Sequence, residues 1–164
     1  MSFIFKLFGA ALLLFAAAKI SRKYSEYVSY RASLSRAFSE LLLHIKNKIS
    51  VYLAPPSELV SGFSSEILSE SGFISLAKEL GSPKKAYGAL ADSLSLSPGA
   101  KRILDSYFDS FGSAYKEGLL KATEAAEAAL RREAEKEEEE LPREKKLART
   151  VIFAVALGII ILFV

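Results

Sequence analysis

The sequence predicts an all-α protein: a small helical bundle between an N-terminal and a C-terminal transmembrane helix, with a long charged helix leading into the second. Three observations predict it. Both ends are apolar, "FKLFGAALLLFAAAKI" and "VIFAVALGIIILFV", whereas Lys, Arg, Glu and Ser fill the stretch between Ser21 and Thr150. Apolar residues in that stretch recur at steps of three and four, the period of an amphipathic helix, and nowhere alternate as in a strand. Proline and glycine punctuate the middle at intervals that suit short helices. The implied division is an anchor over 1–20, a helical domain over 21–114, a charged helix over 115–146 and a second anchor over 147–164.

The first apolar run is short. Leu7 to Ala18 holds twelve residues, extended to eighteen if Phe3 to Ile20 counts and Lys6 and Lys19 snorkel. A secretory signal peptide competes with a retained anchor here, because Ala16-Ala17-Ala18 offers a small-residue cleavage site. From Tyr24 to Tyr52, Tyr24, Tyr27, Val28, Leu34, Phe38, Leu41, Leu42, Ile45 and Ile49 define one face of a long helix. Ala54-Pro55-Pro56 should stop it. A second helix starts at Ser57, a fair N-cap. Gly81-Ser82-Pro83 reads as a helix-ending glycine, an N-cap and a first-turn proline, and Ser97-Pro98 repeats the start signal. Ile103, Leu104, Tyr107, Phe108 and Phe111 then form a stripe that reads as core contact.

A long helix follows, from Tyr115 to about Leu141. Its face thins from Leu119 and Leu120 to Ala122, Ala125, Ala126 and Ala129, which would let another helix approach closely, an internal neighbour before a second protomer. Beyond Leu130, "RREAEKEEEEL" is nearly all charge and reads as a solvated stalk with Pro142 as a joint. Fourteen apolar residues, Val151 to Val164, close the chain; they cover about 21 Å as a helix against a hydrocarbon core of about 30 Å, and extension to Leu147 brings them near it. Ala154 and Gly158 form a small-xxx-small pair there.

Charge sets the expected topology. Lys19, Arg22, Lys23, Arg31 and Arg36 follow the first apolar run, and Arg143, Lys145, Lys146 and Arg149 precede the last. By the positive-inside rule both clusters face the cytoplasm, so the middle should be cytoplasmic and both termini outside a bacterial cell membrane. A net charge of +3, much of it beside the apolar ends, argues against nucleic acid as a partner.

Several chemistries lack their residues. There is no Cys, hence no disulfide and no zinc–thiolate site. His44, the one histidine, lies beside Leu41, Leu42 and Ile45 as an ordinary boundary residue. Glu133 and Glu137 stand at helical spacing, but a di-iron bundle needs paired Glu-x-x-His motifs. No glycine-rich phosphate loop or nucleophile elbow is present. An enzyme is not expected, nor a metal or cofactor.

The layout resembles the stage III sporulation protein AB family. The pattern Arg31, Leu34, Phe38, Leu41, Leu42, Ile45, Ile49 and Pro55 carries the resemblance, with "KLFGA" near the start, "SYFDSFG" before the charged helix and "KKLAR" leading into a glycine-containing last segment. The resemblance implies likeness to the inner-membrane platform proteins of type II secretion systems and type IV pili. The chain would then be a non-catalytic platform or scaffold of a secretion-like channel used in endospore formation, on the mother-cell side. Its partners would be the membrane, a secretion-type ATPase, other channel subunits and a possible second copy. Arg31, Ala122, Ala125, Ala126, Ala129, Ala154 and Gly158 are the candidate partner or helix-packing positions. Two other readings remain: a membrane-anchored helical module that senses a ligand or partner, and an exported helical domain with a cleaved signal and a C-terminal anchor.

Overall fold

A computed structural model describes residues 2–52, 55, 58–111 and 116–163, with side chains described for 6–50, 55, 58–111 and 117–162. The described residues form six helices: α1 Ser2–Tyr52, α2 Glu66–Glu70, α3 Phe73–Glu79, α4 Pro83–Leu90, α5 Pro98–Ser110 and α6 Lys116–Phe163. They contain no strand. The expected stop at Ala54-Pro55-Pro56, the helix start at Ser57 and the boundary at Tyr115 fall wholly or partly outside the described residues.

The chain divides into two units. One comprises Arg31–Glu138, the other Met1–Tyr30 with Glu139–Val164. In the first, α1 buries Leu34, Phe38, Leu41, Leu42, Ile45 and Ile49, the face that its sequence period marks. Phe38 meets the edge of Phe73 from α3, with centroids 5.0 Å apart, and Tyr87 from α4 at 6.3 Å. Tyr87 in turn stacks on Phe108 of α5 at 4.5 Å. Edge and offset contacts of this kind add to area burial because the ring face is negative and the rim positive. The aromatic chain thus ties α1, α3, α4 and α5 into one core.

The short helices begin and end where local chemistry directs. Ser82 Oγ accepts from the Lys85 N–H and Ser97 Oγ from the Ala100 N–H, each ahead of a proline whose missing N–H costs nothing in a first turn. Gly81, at φ 60°, takes the left-handed conformation that ends α3: its N–H donates to Lys78 O, and the Ser82 N–H to Ala77 O. This pair of bonds satisfies the last carbonyls of the helix.

α6 departs from the expectation in two ways. The segment after Leu130 is not a solvated stalk: Leu130, Ala134 and Glu137 are buried, and Ser35 of α1 hydrogen-bonds to Glu137. The helix also continues through Pro142. Proline removes one i→i−4 bond, which leaves the Glu138 carbonyl without its donor. The boundary between the two units falls at that residue.

The unit built from the ends of α1 and α6 buries little. Ala17, Val28 and Ala156 are its buried apolar residues among those described, while Leu7, Phe8, Phe15, Val155 and Ile161 are exposed. Tyr24 Oη donates to Glu144 Oε1 at 3.0 Å. Tyr24 and Tyr27, expected on the buried face, are exposed.

The expected transmembrane helices are corrected: among the described residues no helix is long and apolar enough to cross a membrane. Leu7–Ala18 holds twelve residues, or about 18 Å of helix against about 30 Å of hydrocarbon. Eighteen residues from Leu7 run on through Lys19, Arg22 and Lys23. Three charges in that window are more than end-snorkelling accommodates. The localisation built on those anchors, a cell membrane with both termini outside and the middle domain inside, falls with them.

Candidate functional site

α6 carries most of the candidate positions, because it contributes to two grooves within the Arg31–Glu138 unit. The first lies beside α5. Ala122, Ala125, Ala126 and Ala129 line one wall and Ile103 and Tyr107 the other; Arg102 and Glu133 also line it, and the open groove measures about 590 Å³. Ala126 is buried, Ala122 and Ala129 half-buried and Ala125 exposed, so α5 covers this alanine face only in part. Tyr107 Oη and Thr123 Oγ1 lie 3.1 Å apart beneath it, and Thr123 Oγ1 also donates to Leu119 O at 2.8 Å. Burial pushes the Tyr107 phenol up to about 12.

Glu133 marks the end of that groove near the start of α5. Its carboxylate lies over Gly99, where any side chain would collide with it, and accepts from Ser97 Oγ at 3.5 Å. A carboxylate at a helix N-terminus faces the positive end of the macrodipole, so this placement favours the start of α5. One turn further on, Glu137 is 7% exposed and accepts from Ser35 Oγ at 3.1 and 3.2 Å through its two oxygens. Burial raises its pKa, against hydrogen bonds from Ser97 and Ser35 and the nearby charge of Arg31, which lower it; Glu133 adds to the rise. Arg31, half-buried, therefore acts as a charge partner inside the bundle.

The second groove lies between α1 and α6 and measures about 160 Å³. Arg36 Nη1 donates to both oxygens of Glu138 at 2.8 and 3.0 Å, and Arg36 Nε stands 3.5 Å from Glu40. Arg131 stands 3.8 Å from Glu127 and 3.9 Å from Glu135. Two arginines are thus shared among four carboxylates. Further along the same helix pair, Lys46 Nζ donates to Glu124 Oε1 at 2.8 Å.

The remaining candidates stand apart from these grooves. Ala154 and Gly158 are exposed, and a Cβ built on Gly158 would meet nothing within 4 Å. His44 places Nε2 3.2 Å from Ser61 O and packs against the Phe63 ring. It pins α1 to the segment before α2. Among the described residues no group of three or more His, Asp or Glu side chains could hold a metal ion.

The burial of Glu127 and Glu137 departs from the solvated face that the charge run predicts, yet a signal for it exists. Thr123, Ala126, Leu130, Ala134 and Glu137 follow steps of three and four, so the buried stripe of α6 continues beneath the charge run.

These features define a class: a helical bundle in which polar groups of the described residues pair helix with helix. The sequence model of the family Stage III sporulation protein AB matches residues 6–164, and the chain belongs to that family, which acts in sporulation. No curated protein and no solved structure matches it.

Proposed function

We propose that this chain is a non-catalytic scaffold subunit of a secretion-like channel used in endospore formation, and that it docks a secretion-type ATPase and other channel subunits. The family supports the process, and its likeness to secretion platform proteins supports the role. The observation that carries the reading is the way α6 is held: Arg36–Glu138 and Lys46–Glu124 fasten it to α1 while its alanine face stays partly open beside α5. A rigid helix with an open small-residue face lets a partner's backbone come close, and Arg102 and Glu133 offer polar contacts along the same groove. The reading assigns the chain no reaction of its own.

Photocrosslinking in sporulating cells tests it. A crosslinker at Ala125 or Arg102 should capture the ATPase or a channel subunit, one at Lys85 should not, and Arg102→Glu should lower both capture and spore yield. Normal spore yield from a chain carrying Arg102→Glu and Ala125→Glu, without capture of any channel component, would refute the scaffold role.

A further inference from the structure

We infer that the unit formed by Met1–Tyr30 and Glu139–Val164 carries a binding site for a phosphate group. A cavity of about 410 Å³ opens between the two helices of this unit, within the size range of small-ligand sites. Arg22, Lys145 and Arg149 line it, together with the hydroxyl-bearing Ser21 and Ser25. Phe153 adds an apolar wall.

The charges of this cavity are poorly balanced. Arg22 donates to Glu26 at 3.0 Å, and Glu26 is the one acidic residue in the lining. Among the described residues no carboxylate stands within ion-pair reach of Lys145 or Arg149. These two sit four residues apart on one helix, a spacing at which like charges repel and cost helix stability. The arrangement contrasts with Arg36 and Arg131, each of which has two carboxylates. An oxyanion between Lys145 and Arg149 removes the repulsion. A planar guanidinium can grip two of its oxygens and an ammonium can approach a third, while serine hydroxyls donate to whatever acceptors remain. Phosphate offers three or four such oxygens and one to two negative charges, which suits a lining with two surplus positive charges. A carboxylate has two oxygens and a single charge, too few to engage all three cations.

The phosphate can belong to a soluble compound or to a lipid headgroup, and the experiment separates these sources. The full-length chain in a phosphate-free non-ionic detergent is titrated with inorganic pyrophosphate, followed by calorimetry. In parallel, its binding to vesicles of pure phosphatidylcholine is compared with binding to vesicles containing phosphatidylglycerol. Lys145→Gln and Arg149→Gln are each expected to weaken the favoured interaction about tenfold, the loss of one charge-assisted hydrogen bond. Ser25→Ala should weaken it less, and Lys121→Gln, on the exposed surface of α6 in the other unit, should not change it.

Saturable pyrophosphate binding that the Lys145 and Arg149 variants weaken assigns the site to a soluble phosphate compound. A preference for phosphatidylglycerol vesicles that the same variants abolish, without pyrophosphate binding, assigns it to a headgroup. Equal binding by the variants overturns the site, because attraction would then reside in the exposed apolar side chains or in net charge. So does the absence of both interactions. Circular dichroism of each variant establishes that a loss reflects the missing cation; Arg149 is exposed and Lys145 half-exposed, so neither supports the packing of its unit.

Discussion

α1 and α6 run through both units of this chain, yet the same two helices behave differently in each. Within Arg31–Glu138, α1 buries Leu34, Phe38, Leu41, Leu42 and Ile45 completely. Near their outer ends the helices are richer in apolar residues and bury fewer of them: Phe15 is 62% exposed, and Leu7, Val155 and Ile161 are exposed as well. Apolar content alone therefore does not make a core. Phe38 is buried because α3 and α4 bring Phe73 and Tyr87 to it; Phe15 has Lys19 over its ring and, among the described residues, no comparable aromatic neighbour.

The largest way to test that contrast is a matched pair of truncations. Phe38→Ala should destabilise the fold by about 3–5 kcal/mol, the range for emptying a packed aromatic site. Phe15→Ala should leave denaturant unfolding nearly unchanged, since its ring is already in contact with solvent. Urea titrations followed by circular dichroism read both. Equal losses from the two variants would mean that the ends are packed as well as the middle.

Next in size is the buried acid. Glu137→Ala strips Ser35 of its acceptor and should cost about 1–3 kcal/mol, the penalty of an unsatisfied buried group. Glu137→Gln keeps an acceptor for Ser35 and should cost far less. The pH dependence sharpens the point. Because burial raises the Glu137 pKa above 4.5, the folded chain holds a proton that the unfolded chain has already released. Its contribution to stability is greatest below pH 4.5 and declines as pH rises through the higher folded value. Arg31 and Glu133 act on the same carboxyl with opposite signs, so the decline steepens in Arg31→Gln and shrinks in Glu133→Gln. Melting temperatures measured across pH 4–8 for wild type and Glu137→Gln should converge at the acid end, and parallel curves would contradict the assignment.

Tyr87→Phe comes third. Tyr87 Oη donates to Asp105 Oδ1 at 2.7 Å, and its ring stays in place after the change. Loss of a hydrogen bond to a charged group costs about 1.5 kcal/mol, with Asp105 free to turn to water. Burial first, then Asp105, raises the Tyr87 phenol well above its ordinary value of 10.0, so ionisation is withheld in the fold. Stability is therefore lost as pH climbs above 10.0, and Tyr87→Phe should be less sensitive to alkali than wild type. Ultraviolet difference spectra should show Tyr87 ionising only on unfolding.

How much of this was legible in the sequence follows the same division. The inner face of α1, the stripe on α5 and the starts at Ser82-Pro83 and Ser97-Pro98 could be read because each rests on local spacing or capping. The covered part of α6 keeps the same steps of three and four, but the charges of "RREAEKEEEEL" mask them, and the burial of its acids depends on Ser35 and Ser97 from other elements. Pro142 read as a joint, but one missing N–H does not end a helix when the residues on both sides remain helical. The terminal runs read as membrane spans on their apolar length and flanking cations. The grooves beside α5 and α1 were invisible, since each needs two distant segments side by side.

The smallest expected effect tests what the ion pairs on α6 contribute. Arg36 makes the best-formed of them, with both Glu138 oxygens, and the Glu138 hydrogen bond raises its pKa most. Its side chain nevertheless remains 60% exposed, so water and salt compete for the guanidinium and ordering a long side chain opposes the gain. Arg36→Ala should thus shift the melting temperature less than any change above, and the shift should fade as salt is raised and the Debye length contracts. Arg36→Lys keeps the charge but not the two-oxygen grip, and should lie between wild type and alanine at low salt. If Arg36→Ala instead matched Phe38→Ala, and the loss persisted at high salt, the pairing of α1 with α6 would rank with the aromatic core as a source of stability. A small, salt-sensitive loss places the ion pairs as alignment: they fix which face α6 turns to α1, while the aromatic core supplies the free energy that keeps the bundle folded.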